Sequence, residues 1–300
     1  MKIRTKSKNR ISGHSVFWTI VGIFLAVYAV SLFIPLIWGF ISSFKGKIDF
    51  RLNMFGLPEE WLFSNYASVL KYFFIKVESG ASFRNVYIPE MLLNSILYAV
   101  GSAFIQATVQ FVMAYVAARF SKFKLSKIIY AIVIIGLIVP IVGSEASALS
   151  IAQHLNLKDR ILGMYVMKSY FLGMYFLVFY ETLKAFPKDY DEAARVDGAS
   201  NLTIMLGIIA PLAKNTYFTI VLLLFVTYWN DYTTPMLFMP NVPTLSYGLY
   251  YFSDLSRINE VNTTPMRLGA CMMMLVPTLT LFILFHNKLL SNITIGGVKE

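Results

Sequence analysis

Six stretches of this chain approach or exceed the length of about 20 mainly apolar residues that one helix needs to cross a hydrocarbon core of about 30 Å. They lie at about residues 17–44, 91–118, 127–152, 161–183, 212–238 and 268–290. A soluble globule cannot hide so much apolar length, because it needs a polar skin. Only 14% of the 300 residues are charged and 57% are apolar, against about 25% charged in an ordinary soluble domain. Disorder is excluded by the same composition, and a disulfide scaffold by the single cysteine, Cys271. The sequence reads as an all-α polytopic membrane protein with six transmembrane helices. A basic segment over 1–16 precedes a membrane domain over 17–290, which contains a cytoplasmic connection at 184–211, and a short tail over 291–300 follows.

Charge orients these spans. Lys2, Arg4, Lys6, Lys8 and Arg10 precede the first span, and the compact segment from Arg119 to Lys127 carries four cations and no acid. Basic residues concentrate on the cytoplasmic side of membrane spans. The bias therefore puts both termini in the cytoplasm, as an even number of spans requires. The first apolar run is too long for a signal-peptide core, and no small-x-small cleavage site closes it, so it reads as a retained helix. The net charge of +10 is then a topology signal. Nucleic acid is not expected as a partner, since no basic stripe interleaves with aromatics outside the spans.

One water-facing segment is unlike the rest: Phe186-Pro187-Lys188-Asp189-Tyr190-Asp191-Glu192-Ala193-Ala194-Arg195-Val196-Asp197-Gly198-Ala199-Ser200. It reads as a short helix with Asp189 as N-cap. Asp191 and Glu192 fall in the first turn, where the helix dipole favours anions, and Arg195 falls near the end, where it favours cations. Gly198 is a natural stop, because glycine takes the left-handed conformation cheaply. Ser200 can cap a second helix that runs through Pro211 into the fifth span. Such a helix is too short to be stable alone. On these grounds it is either an amphipathic connector resting on headgroups or a helix that docks another protein.

The string Glu192-Ala193-Ala194, Gly198, Ile208 and Pro211 resembles the EAA loop of ABC importer permeases. It departs from that pattern only at Ala210, where the pattern has leucine. Phe63-Ser64-Asn65-Tyr66, Asn94-Ser95, Ala114-Tyr115-Val116-Ala117-Ala118-Arg119, Asp197-Gly198-Ala199-Ser200, Tyr228-Trp229-Asn230-Asp231 and the tail Gly296-Gly297-Val298-Lys299 extend the likeness across most of the chain. They are similar to the carbohydrate-uptake branch and to the maltose-type second permease. The resemblance implies a type I importer permease fold in a bacterial cytoplasmic membrane. It implies a second homologous permease in a heterodimer, two copies of an ATP-binding subunit and an extracytoplasmic solute-binding protein. It also implies a sugar substrate, an oligosaccharide in the first place. The ATPase-coupling residues would be Asp191, Glu192, Ala193, Ala194, Arg195, Asp197, Gly198, Ile208 and Pro211. ATP and Mg would bind the partner ATPase. This chain itself has no G-x-x-x-x-G-K-[ST] loop, is not an enzyme and is expected to hold no cofactor or metal.

Ionisable groups at membrane depth are costly and default to functional hypotheses. Glu145 and Lys168 lie in consecutive antiparallel spans, where an ion pair between them is open, as are a hydrated Glu145 and direct substrate contact. Asp231 is the third such group. Asn94, Gln106, Gln110, Tyr228, Trp229 and Asn230 have the amide and aromatic chemistry that sugars use, though each also suits helix packing or the interfacial belt. Pro140 with Gly143-Ser144, and Asn230-Asp231 with Pro235, are the expected interruptions of the spans. His14, His154 and His286 are scattered without ligand spacing, and neither H-e-x-x-H nor G-x-S-x-G occurs. A stand-alone ion-coupled secondary transporter is the competing reading, disfavoured by the absence of a six-span internal repeat.

Overall fold

Proline and glycine punctuate this chain more finely than its hydropathy does. The computed structural model describes residues 13–80, 82–139, 143–255 and 263–293. The basic segment over 1–16 lies largely outside the described residues, and Pro140 and the tail Gly296–Lys299 lie wholly outside them. The chain is mostly helical and divides into two compact units, Met1–Val69 with Ile258–Met273 and Leu70–Arg257 with Met274–Glu300.

In the first unit, α1 (Gly13–Ser31) and α2 (Ile34–Ser42) form the first apolar run, Phe17–Ser42. The step between them precedes Pro35, which lacks an N–H and cannot continue the preceding helix regularly. Phe17, Ile20, Phe24, Val27 and Val30 of α1 are all exposed, as expected of a helix whose solvent is lipid. Then α3 (Lys47–Leu52) and the start of α4 (Ser64–Tyr72) fold back as a knot. The Phe44 ring meets Trp61, Phe63 and Tyr66 at centroid distances of 5.4, 5.0 and 5.1 Å. The Asn65 amide donates to the carbonyls of Ser43 and Lys45, and the Lys45 ammonium donates to the Asn53 carbonyl. Among the described residues this buried cation pairs with no carboxylate. It satisfies a turn.

The second unit opens with an antiparallel hairpin, β1 (Phe74–Ser79) and β2 (Ser82–Tyr87), in register Phe74↔Tyr87. Next comes α5 (Ile88–Arg119), the longest described helix. It runs against two later helices, α9 (Met174–Ala185) and α12 (Ala210–Asn230). Ala99, Ala103, Ala107 and Ala114 on its buried face let other backbones approach closely, the usual device where lipid supplies no hydrophobic drive between helices. Phe111, Phe179 and Tyr217 lock the three helices with mutual ring distances of 5.4, 5.9 and 6.1 Å.

The stretches 127–152 and 161–183, read from sequence as single spans, are each two helices. The first is α6 (Lys124–Ile138) followed by α7 (Glu145–His154). The second is α8 (Ile161–Met167) followed by α9. Both breaks carry a glycine at positive φ, Gly143 at 78° and Gly173 at 142°, where a side chain would be strained. The polar connection at 184–211 folds as α10 (Asp189–Val196) and α11 (Asn201–Ile204), and a single π turn at Met205–Ile209 joins α11 to α12. After α12 come α13 (Thr233–Phe238), α14 (Leu245–Tyr250), a π turn at Tyr251–Leu255 and α15 (Thr264–Ile293) with Pro277 inside it. Among the described residues three helices are long and apolar enough to cross a membrane: Phe17–Ser42, Ile88–Arg119 and Asn201–Asn230.

Candidate functional site

Two features of the second unit gather the chemistry that the sequence singles out. The first is the short helix α10 with its flanks. The chain enters it through Pro187, and the Lys188 carbonyl accepts from the amides of Asp191 and Glu192 at 2.9 and 3.1 Å. Lys188 is thus the N-cap, without a side-chain cap. The expected capping by Asp189 is corrected: the Pro187-Lys188 turn starts the helix one residue earlier, and Asp189 joins Asp191 and Glu192 in the first turn. The anionic first turn still complements the dipole. At the other end the Ala199 amide donates to the Ala194 carbonyl at 2.9 Å and the Gly198 amide to that of Arg195 at 3.0 Å. That 6→1 and 5→2 pair is a Schellman stop, with Gly198 at φ +81°. Ser200 Oγ then accepts from the Thr203 amide at 3.2 Å and caps α11.

Only Asp191 and Ala194 of α10 are buried. Tyr190, Glu192, Ala193, Arg195 and Val196 are exposed, as are Asp197 and Gly198, and Val196 is 87% exposed. The helix therefore shows an unpartnered face of mixed apolar and acidic character. Arg195 Nη2 donates to Asn201 Oδ1 at 3.2 Å, bridging the stop. Ile208 sits half-buried in the π turn and Pro211 is the exposed second residue of α12. Beneath α10, Arg119 at the end of α5 places Nε 3.5 Å from Asp191 Oδ2 and donates from Nη1 to the Phe186 carbonyl at 3.0 Å. Sequence reading missed that role: it counted Arg119 as a topological cation and as the last residue of the Ala114–Arg119 string. The available signal was an arginine ending a long span, matched with the acidic turn of the next polar segment.

The second feature is a polar cluster where α5 meets the end of α12. Residues Asn94, Tyr98, Ser102, Gln106 and Gln110 of α5 are all buried and recur every fourth position, so they form one stripe along the helix. The Tyr98 hydroxyl donates to Asp231 Oδ2 at 2.9 Å, and the Tyr228 hydroxyl donates to Gln106 Oε1. The Thr234 amide donates to Asp231 Oδ1 at 3.0 Å, and Ser246 Oγ to the Asp231 carbonyl at 2.8 Å. These bonds hold the interruption between α12 and α13 that Asn230-Asp231 and Pro235 foretold. Lys168, at the end of α8, lies 5.0 Å from the Tyr228 ring centroid and 3.4 Å from Thr234 Oγ1. A cation over an aromatic face is attracted by the ring quadrupole.

Gln106, Lys168, Tyr228 and Asp231 thus come together, with Tyr98 and Thr234 added. The other candidates do not join them. The Asn94 amide donates to the Pro243 carbonyl at 3.1 Å. Gln110 Nε2 reaches the Leu172 carbonyl at 3.4 Å, and its Oε1 has no hydrogen-bond partner. Trp229 Nε1 donates to Thr278 Oγ1 at 2.9 Å, and the exposed Asn230 amide donates back to the Val226 carbonyl. The ion pair between Glu145 and Lys168 does not form: among the described residues the ion pairs are Arg84–Glu90, Arg119–Asp191 and Lys184–Glu181. Because the chain breaks before α7, Glu145 starts a separate helix, exposed in its first turn, where the dipole already favours a carboxylate.

The family described as binding-protein-dependent transport system inner membrane component matches residues 110–288, which include both α10 and Asp231. The chain is 26% identical over 289 residues to the probable starch degradation products transport system permease protein AmyC of Thermoanaerobacterium thermosulfurigenes, covering 94% of this chain and 96% of the relative. It is 24% identical over 284 residues to the melibiose/raffinose/stachyose import permease protein MelC of Bacillus subtilis, covering 93% and 96%. Its fold is similar to a chain in the crystal structure of a bacterial ABC transporter involved in the import of the acidic polysaccharide alginate. That likeness has a TM-score of 0.73 at 19% identity and covers 94% of this chain and 99% of the other.

Proposed function

From the premise that the chain belongs to the binding-protein-dependent transport system inner membrane component family, we propose that it is one permease half of an ATP-driven sugar importer, energised through α10. The chain is a permease component of an ABC importer and not an enzyme; the ATPase activity lies in a separate subunit. The observation that carries the docking reading is the exposed face of α10. A helix of eight residues that buries only Asp191 and Ala194 is marginal by itself, and its Tyr190, Ala193 and Val196 face outward. An ATP-binding subunit that accepts this face, with Glu192 as the anionic contact at a helix N-terminus, completes it. ATP-driven closure of two such subunits would draw the paired docking helices together and shift the permease pair between inward- and outward-open states, each biased by its ligands.

The remaining parts of the reading follow the same premise. Six spans with both termini in the cytoplasm put 184–211 on the side where ATP is. A second, homologous permease completes the pathway as a heterodimer, and an extracytoplasmic binding protein delivers the solute. Sugar as the substrate class is supported by relatives named for starch products and for melibiose, raffinose and stachyose. The hydroxyl, amide and aromatic groups around Tyr228 have fitting chemistry, and an oligosaccharide fits these relatives best. The test is to purify the chain from membranes with its ATP-binding subunit and cross-link from single cysteines placed across 189–198. Nucleotide-sensitive cross-links from Glu192, Ala193 and Val196 are expected. If no nucleotide-hydrolysing subunit is captured from any of these positions, the reading fails.

A further inference from the structure

The two buried side chains of α10 attach it unequally. Ala194 is too small to fix a direction, so the directional attachment is the ion pair of Asp191 with Arg119. The Arg119 side chain is only 2% exposed and that of Asp191 10%. Guanidinium has five N–H donors in a fixed fork. Here one is met, by the Phe186 carbonyl at the end of α9, while Nε, Nη2 and Asp191 Oδ1 are buried without a hydrogen-bond partner. A single side chain thus ties the end of α5, the end of α9 and the first turn of α10.

A pair like this is a poor stabiliser. Desolvation of both charges is repaid only by good geometry and full hydrogen bonding, and apolar replacements of similar volume are often no less stable. Directional linkage is what the arrangement offers and what apolar packing lacks. The two forks could meet in a bidentate pair with a displacement of under an ångström from 3.5 Å, so the contact can tighten under load without breaking. From Arg119, α5 runs without interruption past Gln106 and Tyr98, the residues that hold Tyr228 and Asp231.

We propose that Arg119 is a positioning residue, the joint through which displacement of α10 moves α5: the buried ion pair with Asp191 makes the docking helix and the stripe-bearing helix shift as one body. The proposal rests on the reading of α10 as the ATPase-docking helix. It is tested on the complex with its ATP-binding subunit in nanodiscs. Cys271 is replaced by serine and nitroxides are attached at Asp189 of α10 and Phe104 of α5, both exposed. The distance between the labels is measured by pulsed electron resonance with and without ATP–vanadate. In the otherwise unchanged chain the distance is expected to stay fixed. In R119M/D191L, which leaves neither charge orphaned and so is expected to fold, α10 should slip against α5 and the distance should shift by about 2 Å or more, the scale of helix displacements in switching proteins. A fixed distance in R119M/D191L overturns the proposal, as does a nucleotide-dependent distance in the parent chain. If R119M/D191L does not accumulate, D191N decides. It keeps the shape of the side chain but removes the charge pair, so a slip supports the joint and a fixed distance refutes it. Failure of the docking reading shows separately, as loss of the ATP-binding subunit from the parent complex.

Discussion

Replacing Gly198 isolates the contribution of one backbone turn. An ideal Cβ at Gly198 would meet no heavy atom within 4 Å, so no clash contributes. The cost lies in φ +81°, a region that costs an L-residue about 1–2 kcal/mol. Escaping it would release the bonds from Ala199 to Ala194 and from Gly198 to Arg195. An increment of that size changes the share of molecules holding the stop by about 5–30-fold. Asparagine tolerates the left-handed region better than alanine does, and a β-branched side chain is worse still. Uptake should therefore fall in the order Gly, Asn, Ala, Val. The amount of protein in the membrane should not change, because Gly198 itself is exposed. The assay is solute uptake normalised to membrane-inserted protein, alongside copurification of the ATP-binding subunit. The reasoning is refuted if G198N and G198V behave alike, or if uptake tracks side-chain volume rather than tolerance of positive φ.

Four further outcomes are expected. E192K should abolish copurification of the ATP-binding subunit while the chain still inserts, since the local helix penalty is only about 0.3–1 kcal/mol; normal capture would count against docking at α10. G163A should lower the thermal midpoint in detergent, because the new Cβ runs into the backbone of Leu157 and overpacking costs about 1–3 kcal/mol; an unchanged midpoint contradicts that packing. Y98F should destabilise by about 1–3 kcal/mol by leaving Asp231 Oδ2 without its hydroxyl donor, an effect that D231N should largely remove. E145Q and K168M should add within about 0.5 kcal/mol, and a double variant more stable than either single would reinstate the ion pair.

The sequence makes the membrane class, the long helix α5 and the punctuation around α10 legible because each is a local property. A run of apolar residues, a glycine after a basic turn and a serine before a helix act over a few residues and need no partner. Both span interruptions centred on Gly143 and Asp231 were legible for the same reason. The division of 161–183 was not, since Lys168–Gly173 is short enough to vanish in a hydropathy average. Partner choice was not legible either. Lys168 turned out to face Tyr228 rather than Glu145, and Arg119 faced Asp191, because chain folding far from these residues decides which of several opposite charges or rings they meet. Tyr98 could have been found. It stands at the same fourfold spacing as Asn94, Gln106 and Gln110, which were chosen for their chemistry and not for their shared face.

The π turn at Met205–Ile209 leaves α11 and α12 continuous, so one apolar helix runs from Asn201 to Asn230. At a rise of about 1.5 Å per residue it is a rod of about 45 Å. Its lower end emerges from the cap at Ser200 and its upper end delivers Tyr228 to Gln106. Tipping a helix of that length by about 5° about one end would carry the other about 4 Å, more than the length of a hydrogen bond. A small rotation at the base would be magnified into making or breaking polar contacts at the other end, where Tyr228 meets Gln106.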